Sequence, residues 1–442
     1  MAVVKVDFSS PTQRKIRPLH GVNSGPMTKV FTYDARALFN EAGFPFSRLH
    51  DVEYPYGSGE FVDIPCVFKN FDADETKEEN YNFGLTDEYI KHIIDVGSKP
   101  IFRLGVSIEH APVKRYIYPP KDYEKWARIC EHIIRHYNEG WANGYHFNIE
   151  YWEIWNEADG GDNMWLGTPE EFYELYCVSA TYLKNKFPHL KIGGCAFTRS
   201  YNDFTVGFFK YISSKKTHIP LDFYSWHKYF VNIDMMIEHA DLARKLMNDH
   251  GYGDAESVFD EWNYMRDWSD QFDSYPKIKN HVGAAYCAAV LCAMQTKTDI
   301  DVAAYFEADV VKEWCGIFEV KNMAIAKQRA ELGPLKPFYA FKCFNALYNM
   351  KDEKAVECDG DGIYTLAASD EKSCGLLISN YSENDAECKL LLEGIPTETV
   401  EVRITDKDRT FEKLFSFKCK DRIEYTMNIG SNTFVYFGTP II

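Results

Sequence analysis

Short apolar runs alternate with longer stretches of helical spacing up to residue 350. Between the apolar runs, segments such as TDEYIKHIIDVG at 86–97 carry apolar residues three and four positions apart, as amphipathic helices do. Repeated strand–helix units predict an α/β fold, a (β/α)8 TIM barrel whose parallel strands form a closed inner ring. The runs that we interpret as its strands are residues 16–23, 44–50, 99–106, 151–157, 191–197, 221–229, 257–263 and 301–308.

One of the predicted helices begins with a recognisable signal. In the segment 167–187, Thr168 can cap the helix, Pro169 suits the first helical position, and Glu171 completes a capping box. The sequence therefore predicts a helix that starts directly after Thr168.

Beyond residue 350 the pattern changes to short runs of alternating apolar and polar residues. These runs, at 362–368, 375–381, 399–405 and 433–438, are separated by turn-forming residues, which is typical of antiparallel strands. The opening run at 3–8 alternates in the same way, and we expect it to pair with the C-terminal sheet. We thus predict a catalytic barrel over 14–349 and a small C-terminal antiparallel β-sandwich domain formed by 1–13 plus 350–442.

Charge and composition narrow the class of partner. The net charge of -17 argues against nucleic acid and anionic membranes, because binding to phosphates needs clustered Lys and Arg. No apolar run is long enough to span a membrane and no signal peptide is visible, so we expect a cytoplasmic protein. The twelve cysteines are scattered and do not fall at metal-ligand spacings, and no phosphate-binding glycine loop is present. We expect no metal and no cofactor.

Polar residues finish several of the predicted strands. In a (β/α)8 barrel these strand ends meet at one mouth, where working residues lie. Two glutamates, Glu157 on the fourth strand and Glu261 on the seventh, face each other across that mouth. Cleavage of a glycosidic bond requires such a pair, one carboxyl to protonate the leaving oxygen and one to attack the sugar. The other strand-end candidates are Arg48, His50, Asn156, His227, Tyr229 and Glu307.

Strict alternation along the fourth strand would send Glu153, Trp155 and Glu157 to one side. Glu153 would then point into the barrel, where we expect it to pair with Arg48 or Arg103. Asn156 would lie on the opposite side, unless a bulge at the strand end turns it towards the substrate.

The order of these motifs resembles clan A of the glycoside hydrolases, and within it family 39, the β-xylosidase and α-L-iduronidase family. The resemblance spans nearly the whole chain. The matching segments are SRLHD (47–51), YNFGLTDEYIKHIIDVGSKPIFRLG (81–105), YWEIWNE (151–157), DFYSWHKY (222–229), DEWN (260–263) and KPFYAFKCFNALY (336–348).

The resemblance implies a role for each matching residue. Glu157 would be the general acid/base and Glu261 the nucleophile of a retaining double displacement. Asn156 would contact the sugar 2-hydroxyl, and His50 and His227 other hydroxyls. Two further residues would act on the nucleophile: Tyr229 would orient its carboxylate, and Arg48 would compensate its charge.

The chain departs from the family pattern at the rim of the pocket. Ala158 and Asp159 follow Glu157 where many relatives carry Pro-Asn, and Phe306-Glu307 stands where family xylosidases usually show a Trp. Glu307 is a candidate for a sugar hydroxyl or a loop contact. Trp165 and Trp262 are candidates either for sugar contact or for core packing.

These features predict a retaining, exo-acting glycoside hydrolase of β-xylosidase type, acting on an oligosaccharide or glycoside. α-L-Arabinosidase, β-glucosidase, β-galactosidase and α-L-iduronidase activities remain open, because sugar identity depends on contacts at the rim. Endo-action on a polysaccharide is a further alternative, which an open cleft in place of a pocket would indicate. Transfer to another sugar would use the same covalent intermediate. A carbohydrate-binding protein on a retired barrel is the non-enzyme alternative. The family habit also suggests a homo-oligomer.

Overall fold

The computed structural model describes residues 1–28, 33–50, 61–310, 315–322, 330–418 and 421–441. Its centre is a closed barrel of eight parallel strands, each hydrogen-bonded to its neighbours in chain order. Every one of them falls on a predicted apolar run, so the (β/α)8 prediction is confirmed. Barrel strands 1 to 8 are Gly21–Asn23, Phe46–Arg48, Lys99–Leu104, Tyr151–Ile154, Lys191–Phe197, Phe223–His227, Glu256–Trp262 and Val302–Tyr305.

Helices surround the barrel, and they are α1 (Arg36–Ala42), α2 (Ile64–Val67), α3 (Gly84–Asp95), α4 (Tyr123–Glu139), α5 (Pro169–Lys186), α6 (Asp203–Ser213), α7 (Ile233–Asp249), α8 (Gln271–Ile278), α9 (His281–Lys297) and α10 (Phe338–Met350). The predicted capping box of α5 is confirmed, because the side chain of Thr168 accepts from the amide of Glu171 and the Glu171 side chain accepts from the amide of Thr168. Among the helices described, none has the length and apolar composition needed to cross a bilayer.

The C-terminal strands form two facing sheets. The strands of one sheet are, in spatial order, Asp352–Lys354, Ile363–Ser369, Cys374–Asn380, Thr433–Gly438, Thr399–Thr405 and Glu412–Lys418. Those of the other sheet are Val356–Cys358, Ala2–Asp7, Ala386–Glu393 and Ile423–Ile429. Apolar side chains from both sheets, such as Val4 and Ile378, meet in a separate core. Two hairpins complete the described strands, Met27–Thr28 with Tyr33–Asp34 and Phe318–Asn322 with Glu331–Pro334.

The N-terminal strand Ala2–Asp7 joins the C-terminal sheet, as the sequence predicts. It pairs antiparallel with Val356–Cys358 but parallel with Ala386–Glu393. The sandwich is therefore not wholly antiparallel, because a strand from the far end of the chain enters the sheet between two others. The boundaries at 13/14 and 349/350 remain predictions.

Helices α9 and α10 lie between the barrel and the sandwich. In α9 every residue from Gly283 to Gln295 is buried, which is typical of a helix covered on all sides. Ser379 of the sandwich donates a 2.7 Å hydrogen bond to the backbone oxygen of Ala285 in α9. The main core includes both barrel residues and sandwich residues such as Leu377 and Tyr436. The two parts thus share buried surface.

Candidate active site

Side chains inside the barrel change from apolar to charged towards the mouth. Successive inward positions are two residues apart along each strand. On barrel strand 2 they run Phe46, Arg48, His50, and on barrel strand 6 they run from Phe223 to His227 by way of Ser225. At the bottom of the barrel, a cluster of hydrophobic residues consists of Phe46, Ile101, Tyr151, Phe223, Val258 and Val302.

Glu157 reaches the mouth because the backbone leaves the strand before it. Barrel strand 4 ends at Ile154, and Trp155 and Glu157 take positive φ angles of 70° and 46°. The amide of Glu157 donates 2.9 Å to the oxygen of Ala196, which fixes the turn to the neighbouring strand. These angles break the expected alternation, so Trp155 does not share the side of Glu153. Instead its indole NH donates to Met164 and its ring contacts Trp165.

Glu261 reaches the same space through a bulge in barrel strand 7. The register with both neighbouring strands shifts between Phe259 and Trp262. A bulge lets two consecutive residues lie on one side of a sheet, and here Asp260 and Glu261 both contact Arg48 in the barrel interior. Trp262 is displaced outwards as a consequence.

The structure corrects the proposed sugar contacts of two tryptophans. Trp262 is fully buried, with its ring 5.0 Å from Tyr305 and 6.1 Å from Phe341 of α10. Trp165 is 4% exposed, stands edge-on to Trp155 at 5.1 Å and donates its indole NH to Thr168. Both rings pack in the layer between strands and helices: the bulge in barrel strand 7 displaces Trp262, and Trp165 packs against Trp155 and Phe172 of α5.

The carboxylate of Glu261 is held by several donors. Tyr229 donates its hydroxyl to one oxygen, and the Nη1 of Arg48 lies 3.4 Å from the other. His50 and His227 approach that second oxygen at 3.8 and 3.5 Å. Burial raises the pKa of Glu261 to about 7, the charge of Glu157 adds to the rise, and Arg48 and the Tyr229 hydrogen bond oppose it.

Glu157 has a more open environment. Its side chain is 17% exposed, against 8% for that of Glu261. The Nδ1 of His227 lies 2.6 Å from its Oε1. Burial lowers the pKa of His227 to about 4, so the ring is neutral near pH 7 and forms a hydrogen bond rather than an ion pair.

The two carboxylates lie close together. An oxygen of Glu157, an oxygen of Glu261 and a ring nitrogen of His227 all fall within 4.8 Å of one another. The separation agrees with the shorter of the two carboxyl spacings found in glycosidases, which is about 5–5.5 Å in retaining enzymes and about 6.5–9.5 Å in inverting enzymes. Three such atoms could also surround a cation, but the hydrogen bond between His227 and Glu157 accounts for their contact, and we interpret them as hydrogen-bonding partners.

Arg48 is the centre of the charged layer. It is fully buried and donates to Glu153 at 2.8 Å and to the Oδ1 of Asn156 at 2.7 Å. The expected pairing of Glu153 with an arginine is therefore confirmed for Arg48. The other candidate, Arg103, instead pairs with Asp63. Asn156 is buried too, and its Nδ2 has no acceptor among the described residues, so it can donate to a ligand.

Glu307 lies at the end of barrel strand 8. It is 1% exposed, and its carboxylate accepts from the hydroxyl of Ser24 at 2.7 Å and from the thiol of Cys315 at 3.3 Å. The ring of Phe306 lies 6.2 Å from that of His50. Glu307 is thus a wall residue whose orientation the protein fixes.

Two functional candidates escaped the sequence analysis. Trp268, in the loop after barrel strand 7, is 53% exposed and stands edge-on to Tyr229 at 5.3 Å. The sequence feature that could have identified Trp268 is an aromatic residue in a strand-to-helix loop, because such loops lie at the mouth of the barrel. Asp260 is fully buried next to Glu261, and its signal was a second carboxylate in the DEWN motif.

A closed parallel barrel with two adjacent glutamates at the ends of its fourth and seventh strands defines the class of this protein, a retaining glycoside hydrolase. Comparison with known proteins then gives the family. The model of glycosyl hydrolases family 39 matches residues 24–322, and the chain belongs to this family. The protein is therefore an enzyme, and the non-catalytic alternative is set aside.

Individual relatives are distant. A β-xylosidase of Caldicellulosiruptor saccharolyticus is 26% identical over 80% of this chain and 74% of its own. A glucosidase structure from Croceicoccus marinus superposes with a TM-score of 0.82 at 21% identity, covering 99% of this chain and 98% of that one. A family 39 β-xylosidase structure from Caulobacter crescentus gives 0.71 at 17% identity, covering 99% of both chains. At these identities the structures show the fold alone.

Proposed function

We propose that this enzyme is an exo-acting β-xylosidase in which Glu261 is the nucleophile and Glu157 the general acid/base. One observation carries the assignment of roles: the two carboxylates share one site but have different partners. Glu261 is buried under donors, from Tyr229 and Arg48, that favour its ionised form. Glu157 is the more exposed of the two, so it can exchange protons with the leaving group and with water.

The reaction follows from these positions. Glu157 gives its proton to the glycosidic oxygen while an oxygen of Glu261 bonds to the anomeric carbon, and the carbon–oxygen bond to the leaving group breaks. Water then attacks the anomeric carbon, its proton passes to Glu157, and Glu261 leaves as a carboxylate. Two inversions at one carbon give net retention.

We assign the remaining site residues to the sugar. Asn156 has a free amide donor for the 2-hydroxyl, where a hydrogen bond strengthens as charge develops on the ring. His50 and His227 border Glu261 and supply polar contacts to other hydroxyls. Trp268 offers an exposed ring face beside Tyr229 on which a sugar or aglycone can pack.

The glycone is the open part of this proposal. Xylose is favoured by the similarity to curated β-xylosidases. The second candidate is β-glucosidase, because Glu307 places a carboxylate acceptor in the wall, where an additional sugar hydroxyl could donate to it. α-L-Arabinosidase, β-galactosidase and α-L-iduronidase activities are outcomes of the same test.

The test is a screen of nitrophenyl glycosides with wild type and Glu261→Gln side by side. We expect wild type to cleave the β-xyloside fastest and Glu261→Gln to lose activity on every substrate. Faster cleavage of another glycoside would replace xylose by that sugar. Retained activity in Glu261→Gln would reject Glu261 as the nucleophile. Product analysis in the presence of xylose or xylobiose as acceptor separates hydrolysis from transglycosylation.

We further propose a cytoplasmic homo-oligomer that trims short glycosides and binds neither nucleic acid nor membranes. The net charge of -17 supports the last two points. A single monomeric species in sedimentation at micromolar concentration would refute the oligomer, and recovery of the enzyme from culture medium would refute the location.

A further inference from the structure

A single cation lies among three buried carboxyl groups beneath the active site. Arg48 is within 2.8 Å of Glu153, 3.1 Å of Asp260 and 3.4 Å of Glu261. Arg103, the other arginine of this layer, is paired with Asp63. Burying an uncompensated charge is costly, so three ionised carboxylates around one guanidinium are unfavourable. At least one of the carboxyls must hold a proton.

Hydrogen-bonding geometry indicates which carboxyl holds it. Both oxygens of Asp260 lack a hydrogen-bond donor among the described residues, whereas Glu153 accepts from the Nε of Arg48. The two carboxyl groups nevertheless lie beside each other, because both approach the same nitrogen, the Nε of Arg48, at 2.8 Å and 3.1 Å. Two ionised groups would repel there, whereas one proton between them gives each a partner. Since Arg48 donates directly to Glu153, the proton belongs on Asp260.

We propose that Asp260 and Glu153 together carry one negative charge, with a proton on Asp260 donated to Glu153. The positive charge of Arg48 is then shared by only two anions, Glu153 and Glu261, and remains available to stabilise the nucleophile. Asp260 is a positioning residue in this proposal, since it acts through Arg48 and Glu153. The inference rests on the proposed function, because it takes Glu261 as the nucleophile.

The electrostatics of the layer agree with this arrangement. Burial and the neighbouring charge of Glu153 raise the pKa of Asp260 well above its usual value. Burial would raise the pKa of Glu153, but Arg48 and hydrogen bonds from Asp260 and Ser225 lower it below its usual value. The Nε2 of His227 faces Asp260 at 3.4 Å, but the neutral ring adds no charge. The titratable groups facing Glu261 and Asp260 are Arg48, His50, Glu153, Glu157, His227 and Tyr229.

A double-mutant cycle of Asp260 and Glu153 tests the shared charge. The measured quantity is the pH of the acidic limb of kcat/KM, because this limb follows the ionisation of Glu261. Asp260→Asn leaves Glu153 ionised, and Glu153→Gln leaves Asp260 ionised, so each single variant keeps one negative charge and should keep the limb within about 0.3 pH units. In the double variant Glu261 is the one carboxylate of the three that remains beside Arg48, so its pKa should fall and the limb should move down by about 1 pH unit or more. If each single variant already lowers the limb and the shifts add, both groups are ionised and the proposal is wrong.

A matched control and a spectroscopic measurement separate charge from folding. Asp63→Asn removes a buried carboxyl paired with Arg103 in the same layer and should leave the limb unchanged. At alkaline pH, where Glu261 is ionised, the infrared spectrum of wild type should contain a protonated carboxyl band that shifts in D2O and is lost in both single variants. A wild-type spectrum identical to that of Asp260→Asn in this region would overturn the proposal.

The infrared measurement needs no substrate. If wild type cleaves no glycoside, the proposed function fails while the band still decides whether Asp260 is protonated. If glycosides are cleaved but the band is missing, the proposed function stands and the shared proton is rejected.

Discussion

At the residue scale, the site shows how one residue type serves two purposes. Glu157 and Glu261 lie within 4.8 Å of a common neighbour and of each other, yet their partners differ. The carboxylate of Glu261 contacts the phenol of Tyr229 and the guanidinium of Arg48, whereas that of Glu157 contacts the neutral imidazole of His227. In the proposed mechanism, environment rather than residue type thus divides the roles of acid and nucleophile.

The hydrogen bond from Tyr229 to Glu261 predicts a shift in pH dependence. If Glu261 is the nucleophile, as we propose, it must be ionised, so kcat/KM should rise with pH through the pKa of Glu261, which burial raises to about 7. Tyr229 lowers that pKa by donating to the carboxylate. Tyr229→Phe should therefore raise the pKa and move the acidic limb to higher pH, measured on a nitrophenyl substrate.

The matched control is Tyr173→Phe, which removes a hydroxyl that donates to the backbone of Phe204. It should leave the acidic limb in place. An unchanged limb in Tyr229→Phe would show that this phenol does not govern the ionisation of Glu261.

Removing the second carboxyl should affect substrates according to their leaving groups. Glu157→Ala should lower kcat/KM by about 10²–10⁴-fold for xylobiose, whose leaving oxygen needs a proton, and far less for an activated aryl xyloside. Azide should restore turnover of the aryl xyloside by attacking the glycosyl-enzyme. Equal losses on both substrates without azide rescue would contradict the acid/base role.

At the element scale, the ends of the barrel strands depart from regular geometry where the chemistry lies. A bulge in barrel strand 7 presents Asp260 and Glu261 together, and positive φ angles after barrel strand 4 turn Glu157 to the mouth. Asp159 anchors the following loop by accepting from the amide and hydroxyl of Thr198, both at 2.8 Å. The regular parts of the strands form the barrel, and their irregular ends orient the side chains of Glu157, Asp260 and Glu261 towards the site.

The capping box of α5 gives a prediction about stability alone. Thr168→Ala removes the acceptor for the amide of Glu171 and should lower the free energy of unfolding by about 0.5–2 kcal/mol. Thr168→Ser keeps the hydroxyl and should cost much less. Chemical denaturation measures both, and kcat/KM should not change. A loss of activity in Thr168→Ala at full folding would show that α5 influences the site.

At the scale of the whole molecule, the barrel and the sandwich depend on each other. Helix α9 is apolar around its whole circumference because one side faces the strands and the other faces the sandwich. Lys336, just before α10, donates to the backbone oxygens of Lys407 and Arg409 at 3.0 and 2.9 Å. Without the sandwich, the apolar surface of α9 would be exposed to water, and without the barrel the sandwich residues that pack on α9 would be exposed.

This shared core predicts cooperative unfolding. Calorimetry of the full chain should give one transition, since separating the parts exposes α9 and α10 to water. A chain ending at residue 349 should be insoluble or lack a cooperative transition. Two resolved transitions, or a soluble active barrel, would show that the sandwich is an independent unit.

Much of the fold could be read from local patterns. The eight barrel strands, the start of α5 and five sandwich strands all carry periodicities that depend only on nearby residues. The sandwich strands that were not predicted are Asp352–Lys354, Val356–Cys358, Ala386–Glu393, Glu412–Lys418 and Ile423–Ile429. Several of their positions are charged and exposed, as in Glu412–Lys418 at the edge of its sheet, so the alternation is weak and resembles a loop.

The sequence by itself determined the order of the elements and the presence of two glutamates at strand ends, because strand period and strand order are properties of consecutive residues. Only the tertiary structure decided which side chains face the substrate and which pack. The bulge that turns Trp262 outwards depends on register with neighbouring strands. The partners that set the ionisation of the site come from distant parts of the chain: Arg48 and Glu261 are 213 residues apart. Burial and charge arise from such contacts, which no local pattern contains.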